Sequence, residues 1–217
     1  MRQSRFPEFV VHTINWEAGG DLANGGLTRD PHDAGGTTKW GISQRANKNV
    51  NVARLTIGQA KRIYKDKYWF DWMELHDPVI MFKVFDAGVL FGPSQAHRAL
   101  QRALNGLGIG NIRVDGKVGS ETLKMLSKAY CVEQPGTLLN LYKKELKKRI
   151  KWIITKRPTQ IRFRKGWLRR IEHLPIKVKF INPLSPQQVK DLIAFQTING
   201  LKLSPKEVSR ALCYPLT

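Results

Sequence analysis

Residues 78–92 read PVIMFKVFDAGVLFG. Pro78 suits the first position of a helix, where its missing N–H removes nothing and its fixed φ is already helical. Behind it the segment is apolar nearly all the way round, interrupted only by Lys83 and Asp86. A surface helix carries an apolar stripe, whereas one that is apolar on every side is buried among other helices. The pattern therefore predicts the buried central helix of a small, mainly α-helical domain. Asp86 inside it would be costly as an unpaired charge. It is either a hydrogen-bonded structural carboxylate or part of a functional site.

Outward from that helix the periodicity stays helical. Phe9, Val10, Thr13, Ile14 and Trp16 follow Pro7 with helix spacing, so Glu17 falls near the end of a first helix. The next stretch, residues 18–41, holds seven glycines, three aspartates and one proline, and reads as an ordered loop or short hairpin. Thr56 is placed to cap a helix running to Met73, with Ile57, Ala60, Ile63, Tyr64 and Tyr68 on one face. After the central helix, Pro93 and Ser94 start another, with an apolar stripe of Ala96, Ala99, Leu100, Ala103 and Leu104. Asp115-Gly116 marks a turn, Ser120 opens a further helix, and residues 138–156 form an amphipathic helix with a Lys/Arg outer face. A strand signal arises only at KVKFI, 177–181. Two stretches, LSPQQVKDLIAF at 184–195 and LSPKEVSRALCY at 203–214, each carry a serine N-cap followed by proline at the first helical position, and predict a short C-terminal helical appendage.

At 217 residues the chain fits one domain, or one domain with a small appendage. Its charge stands out: 37 Lys and Arg against 17 Asp and Glu, a net +20. Residues 143–170 alone hold thirteen cations against the single Glu145. Such a field draws polyanions, whether nucleic acid, phospholipid or the acidic polymers of a bacterial envelope. No helix-turn-helix, zinc-finger or RNA-recognition signature accompanies it, so envelope polymers are favoured over nucleic acid. Cys131 and Cys213 show no metal-ligand spacing and read as free thiols. No signal-peptide core and no run of about 18 apolar residues is visible, so a soluble chain made in the cytosol is expected.

Local chemistry singles out Glu17. A carboxylate at a helix end beside Trp16, facing a glycine-rich loop, can be partly desolvated, and desolvation favours the protonated form that a general acid requires. Glycoside hydrolysis needs such an acid to protonate the leaving oxygen, and a second polar group to place water or stabilise the oxocarbenium-like state. Asp30, Asp33, Thr37 and Thr38 lie in the loop and could supply it. Taken alone, a glutamate before a glycine pair is more often a simple helix end.

The ordered motifs decide the matter. Glu17-Ala18-Gly19-Gly20, then Asp30-Pro31-His32-Asp33-Ala34-Gly35-Gly36-Thr37-Thr38-Lys39-Trp40-Gly41-Ile42-Ser43, resembles the opening signature of glycoside hydrolase family 108. Ile63-Tyr64, Tyr68-Trp69, Val84-Phe85-Asp86-Ala87 with Gly92, and Lys165-Gly166-Trp167 with Arg170 follow in the family's order. Ala99-Leu100-Gln101, Asp115-Gly116, Gly119 and Thr122 look like its associated peptidoglycan-binding segment. The spacer before Asp30 is longer than usual, and Ala18 stands where the family has glycine.

The resemblance implies a mainly α, lysozyme-like fold with a small loop or β-hairpin region. Its domains would be a catalytic region at 1–94, a helical peptidoglycan-binding segment at 95–175 and a C-terminal appendage at 176–217. The implied activity is cleavage between N-acetylmuramic acid and N-acetylglucosamine in peptidoglycan, with cell-wall lysis. Glu17 corresponds to the catalytic glutamate, and Asp30, Asp33 and Thr38 to polar loop positions beside it. Trp40, Tyr68, Trp69 and Asp86 are candidates for substrate contact. Neither metal nor cofactor is called for, and a monomer is expected, acting as a phage-type endolysin. It would be held in the host cytoplasm until holin-dependent release, or carried in a virion. The rival readings are a non-catalytic peptidoglycan binder, a lytic transglycosylase and a basic nucleic-acid-binding protein.

Overall fold

The computed structural model describes residues 4–29, 36–132 and 136–174. Asp30, Asp33, Cys213, the strand expected at 177–181 and the expected C-terminal helices lie outside them. Seven α-helices and one two-stranded hairpin make up the regular structure of the described residues. This is the mainly helical, lysozyme-like class expected from the sequence. The chain divides into two compact units, Met1–Glu74 and Leu75–Thr217.

In the first unit α1 spans Phe6–Glu17. Phe6, Phe9, Val10, Thr13 and Ile14 are buried at the spacing of one helical face. Glu17 comes next on that face, at the last residue, where it is half-buried. The helix stops as the chain enters Gly19 and Gly20, both at positive φ. A hairpin follows, β1 Thr38–Lys39 and β2 Ile42–Ser43, paired Thr38 to Ser43 and Lys39 to Ile42. Thr28 bridges to Thr38 on its other side.

Helix α2, Ile57–Tyr68, opens on a capping box in which Thr56 and Gln59 each bond the other's backbone N–H. It ends at Tyr68, five residues short of the Met73 expected from periodicity. Trp69 turns extended (φ −105°, ψ 122°), which sends its ring under α1. There it packs against Phe6 and Phe9, each with centroids 5.7 Å away, and donates from Nε1 to Glu74 at 2.7 Å. Glu74 also accepts from the Arg5 N–H at 3.1 Å, so one carboxylate ties the start of α1 to the Trp69 turn. Packing of a large ring overrode helix continuation.

In the second unit α3, Pro78–Phe91, is buried continuously from Pro78 to Gly88. Asp77 caps it, accepting from the Val79 and Ile80 N–H groups. Met81, Phe82, Val84 and Phe85 are at most 1% exposed, each worth about 1.5–3 kcal/mol of burial. Around α3 come α4 (Pro93–Asn105), α5 (Ser120–Val132), α6 (Thr137–Lys156) and α7 (Arg164–Glu172). A 3-10 turn, Pro158–Phe163, joins the last two. The predicted apolar stripe of α4 is fully buried, and so are Leu138, Tyr142, Leu146 and Ile150 of α6. No described helix is long and apolar enough to cross a membrane.

Candidate active site

The site is organised by a two-residue hairpin tip. Trp40 and Gly41 connect β1 to β2 with φ of 57° and 72°, the positive pair that a type I′ turn demands. Trp40 is the only non-glycine residue at positive φ among those described. For a bulky side chain that conformation costs about 1–3 kcal/mol and persists only where its surroundings enforce it. Three hydrogen bonds do so. The Trp40 N–H donates to Gly25 O at 2.6 Å, its indole N–H donates to Leu55 O at 3.3 Å, and its carbonyl accepts from the Tyr64 hydroxyl at 2.8 Å. The indole also lies so close over Gly25 that a Cβ there would sit 2.4 Å from the ring.

The tip is held against Glu17. A Cβ placed on Gly41 would lie 2.5 Å from the Glu17 Cβ, 2.8 Å from its Oε2 and 2.8 Å from the Tyr64 Oη. Only a residue without a side chain allows this approach, and the positive φ asks for the same residue. The carboxyl of Glu17 and the phenol of Tyr64 therefore border one small space roofed by backbone. Tyr68, one turn after Tyr64 with ring centroids 5.8 Å apart, is half-buried nearby. Burial, reinforced by the negative charge of Glu17, pushes the Tyr68 phenol above its ordinary range. It remains a proton donor at any physiological pH. A carboxyl at a helix end, flanked by two phenols and open backbone, suits proton transfer to a bound oxygen.

The other candidates fall in different places. Thr38 lies on β1 between Thr28 and Ser43, its hydroxyl 3.5 Å from Gly36 O. Trp40 is 5% exposed and braces the turn. Trp69, 7% exposed, is engaged with Glu74, Phe6 and Phe9. Asp86 belongs to the second unit, where Nε and Nη2 of Arg170 donate to it at 2.9–3.1 Å. Both partners are buried, and Lys83 adds a 2.7 Å bond from Nζ to the Arg170 carbonyl. Burial holds the Lys83 amine down at about 8, against the opposing pull of Asp86. Asp86 and Arg170 are thus one ion pair pinning α7 to α3, and each supplies the charge that the other needs in the interior.

The motif carried by Gln101 is also built into structure. Its amide donates to Asp115 Oδ1 (2.9 Å), Lys117 O (3.0 Å) and Thr122 Oγ1 (3.3 Å), and its oxygen accepts from the Gly116 N–H (2.8 Å). The bond from Gln101 is the main reason that the Asp115 carboxyl is held below its usual range. His97 touches Gly116 O at 3.1 Å, and burial lowers its pKa. Sequence reasoning did not single out Gly41 or Tyr64 as site residues. The signal available was a bulky aromatic followed by glycine between two short β-prone pairs. Among the described residues no group of His, Cys, Asp and Glu could hold a metal ion.

Residues 13–92, which run from the end of α1 through the hairpin and α2 to α3, match the family model described as Glycosyl hydrolase 108. Over that stretch the chain is similar to glycosyl hydrolase 108. Residues 95–172 match the model described as Predicted Peptidoglycan domain. Of solved structures, the chain is similar to the one titled "Structure of Brucella abortus SagA". Identity is 23%, the TM-score is 0.57, and the match covers 76% of this chain and 88% of that one. At that identity the likeness shows the fold alone. No curated protein matches the chain. Glu17 and Gly41 fall in the first matched region, and Gln101 and Arg170 in the second.

Proposed function

We propose that the protein is an N-acetylmuramidase, hydrolysing the β-1,4 bond between N-acetylmuramic acid and N-acetylglucosamine with Glu17 as general acid. One observation carries the reading. The only glutamate on the family motif closes α1 against Gly41, in a space shared with the phenols of Tyr64 and Tyr68. Glu17 would give its proton to the leaving glycosidic oxygen while water attacks the muramic C1 carbon. Asp30, Asp33 and Thr38, matched to polar positions of the family loop, are the candidates for placing that water. Tyr68 would donate to the substrate or to the spent Glu17 carboxylate.

In this proposal residues 1–94 form the catalytic region, 95–175 hold the glycan strand, and 176–217 is an appendage. The biological setting would be endolysin-driven lysis, by holin-dependent release or from a virion. Mass spectrometry of digested sacculi tests the chemistry. Wild type should leave reducing muramic ends, and Glu17→Gln should leave no fragments while keeping its helical circular dichroism. Anhydromuramic ends would make the protein a lytic transglycosylase instead, and no wild-type fragments would make it a binder. An active Glu17→Gln would remove Glu17 from the mechanism.

A further inference from the structure

Large apolar side chains exposed on a basic surface cluster at one place in the second unit. Of six such side chains among the described residues, three lie within twelve residues: Trp152 (50% exposed), Ile161 (55%) and Phe163 (43%). No carboxylate occurs between Glu145 and Glu172, while Lys156, Arg157, Arg162 and Arg164 surround the exposed group. Between α6, the 3-10 turn and α7 runs an open groove. Ile150, Ile154, Ile161 and Leu168 line it with apolar surface, and Lys147, Lys151 and Arg164 add positive charge. Glu172 closes one end, already paired with Lys143 (2.9 Å) and Lys147 (2.6 Å). Trp152 stands three residues before Thr155, which also lines the groove, and so beside it on the helix surface.

Charge narrows what can sit here. A second copy of the chain carries +20, and residues 175–217 hold six Lys or Arg against Asp191 and Glu207. Both would be repelled, so the occupant is anionic. The aromatic geometry narrows it further. Arg149 covers one face of Trp152 at 4.2 Å, while Phe163 is flanked by Arg162 at 4.8 Å and by the Trp167 ring at 5.8 Å. Nucleic-acid bases need open ring faces for stacking, and the aliphatic Ile161 offers them nothing. A bilayer interface takes cations at the phosphates, with aromatic edges and aliphatic tips just beneath. We propose that the surface from Trp152 to Leu168 docks peripherally on acidic phospholipid, with Ile161 and Phe163 entering the headgroup boundary. This inference does not depend on the muramidase reading.

The test is co-sedimentation of the full chain with vesicles of phosphatidylcholine alone, or with about 30% phosphatidylglycerol, at about 0.15 M salt. Binding should appear only with the acidic vesicles and weaken as salt rises. Replacing Arg162 and Arg164 with Gln should lower partitioning about fivefold for each residue removed. The variant I161S/F163S leaves the charge untouched and should lose about tenfold. Both variants alter exposed side chains and should keep the helical circular dichroism of wild type, and vesicle binding is read with no glycan present, which separates this result from any failure at Glu17. Equal binding to neutral vesicles would overturn the proposal. So would I161S/F163S partitioning like wild type, since the surface would then read charge alone, or tighter retention on DNA than on acidic vesicles at the same salt.

Discussion

Gly41→Ala is the sharpest probe of the site, because a single methyl meets three atoms at once. The new Cβ would fall 2.5 Å from the Glu17 Cβ and 2.8 Å from both Glu17 Oε2 and Tyr64 Oη, all inside the 3.0 Å that real Cβ contacts respect. The carboxyl can swing aside, but the other two atoms do not move cheaply. The Glu17 Cβ is fixed to the end of α1, and Tyr64 Oη is engaged with Trp40 O. Overpacking of this kind costs about 1–3 kcal/mol, and a left-handed alanine adds about 1–2 kcal/mol. We expect Gly41→Ala to lose about 2–5 kcal/mol in urea unfolding. The clash also shifts the carboxyl by some tenths of an ångström to an ångström, and misplacement on that scale costs about 10²-fold in rate. Gly19→Ala is the matched control. It has the same sign of φ (61°) but nothing within 4 Å of its Cβ, so it should lose only the backbone term and keep its activity. Dye release from labelled peptidoglycan, normalised to folded protein, reads both. A Gly41→Ala rate within threefold of wild type, or a Gly19→Ala rate that falls equally, would refute the reasoning.

Tyr64→Phe deletes the donor to the buried Trp40 carbonyl, so stability should fall by about 1–3 kcal/mol and kcat should drop as the turn loosens. An unchanged kcat would mean that the turn is held by its other bonds. Asp86→Ala strips Arg170 of its buried partner and should cost about 3–5 kcal/mol, whereas Asp86→Asn should leave KM for soluble glycan unchanged. A raised KM in Asp86→Asn would restore Asp86 to the substrate site. Lys83 sets a pH dependence, because its folded pKa of about 8 lies below the unfolded 10.5. Between those values the unfolded chain holds a proton that the folded one lacks, so stability rises with pH, and the penalty is fully present below about 8. Tyr130 and Tyr142, kept neutral by burial, act in the opposite direction above about pH 10 and bound the window. Urea midpoints from pH 7.5 to 10 should climb in wild type and stay flat in Lys83→Met.

Helices were legible because each buries one face with regular spacing, and the capping residues mark their starts. Thr56 and Gln59 form the box that their spacing allows, and Pro78 begins the one helix that is apolar all round. The overrun to Met73 arose because periodicity carries no record of a distant partner. Trp69 leaves the helix for Phe6 and Phe9, which lie some sixty residues earlier. The hairpin was legible only as a glycine-rich loop. Its strands are two residues long, too short for alternation to show, and its tip uses tryptophan where turn chemistry favours asparagine or glycine.

Two carboxylates on apolar helix faces are separated by their surroundings. Asp86 is the stranger residue on paper, set in an unbroken apolar run. Its partner Arg170 stands 84 residues away and grips it through both Nε and Nη2. At 3% exposure it faces the interior, where it pins α7 to α3. Glu17 looked ordinary, a helix-end glutamate before two glycines. Yet the fold enforces a costly turn at Trp40 to bring Gly41 against it, where any other residue would close the space. Strain held in place by three hydrogen bonds around a half-buried carboxyl has no use in packing that a relaxed turn would not serve better. It is accounted for if the position of that carboxyl is what the turn exists to fix.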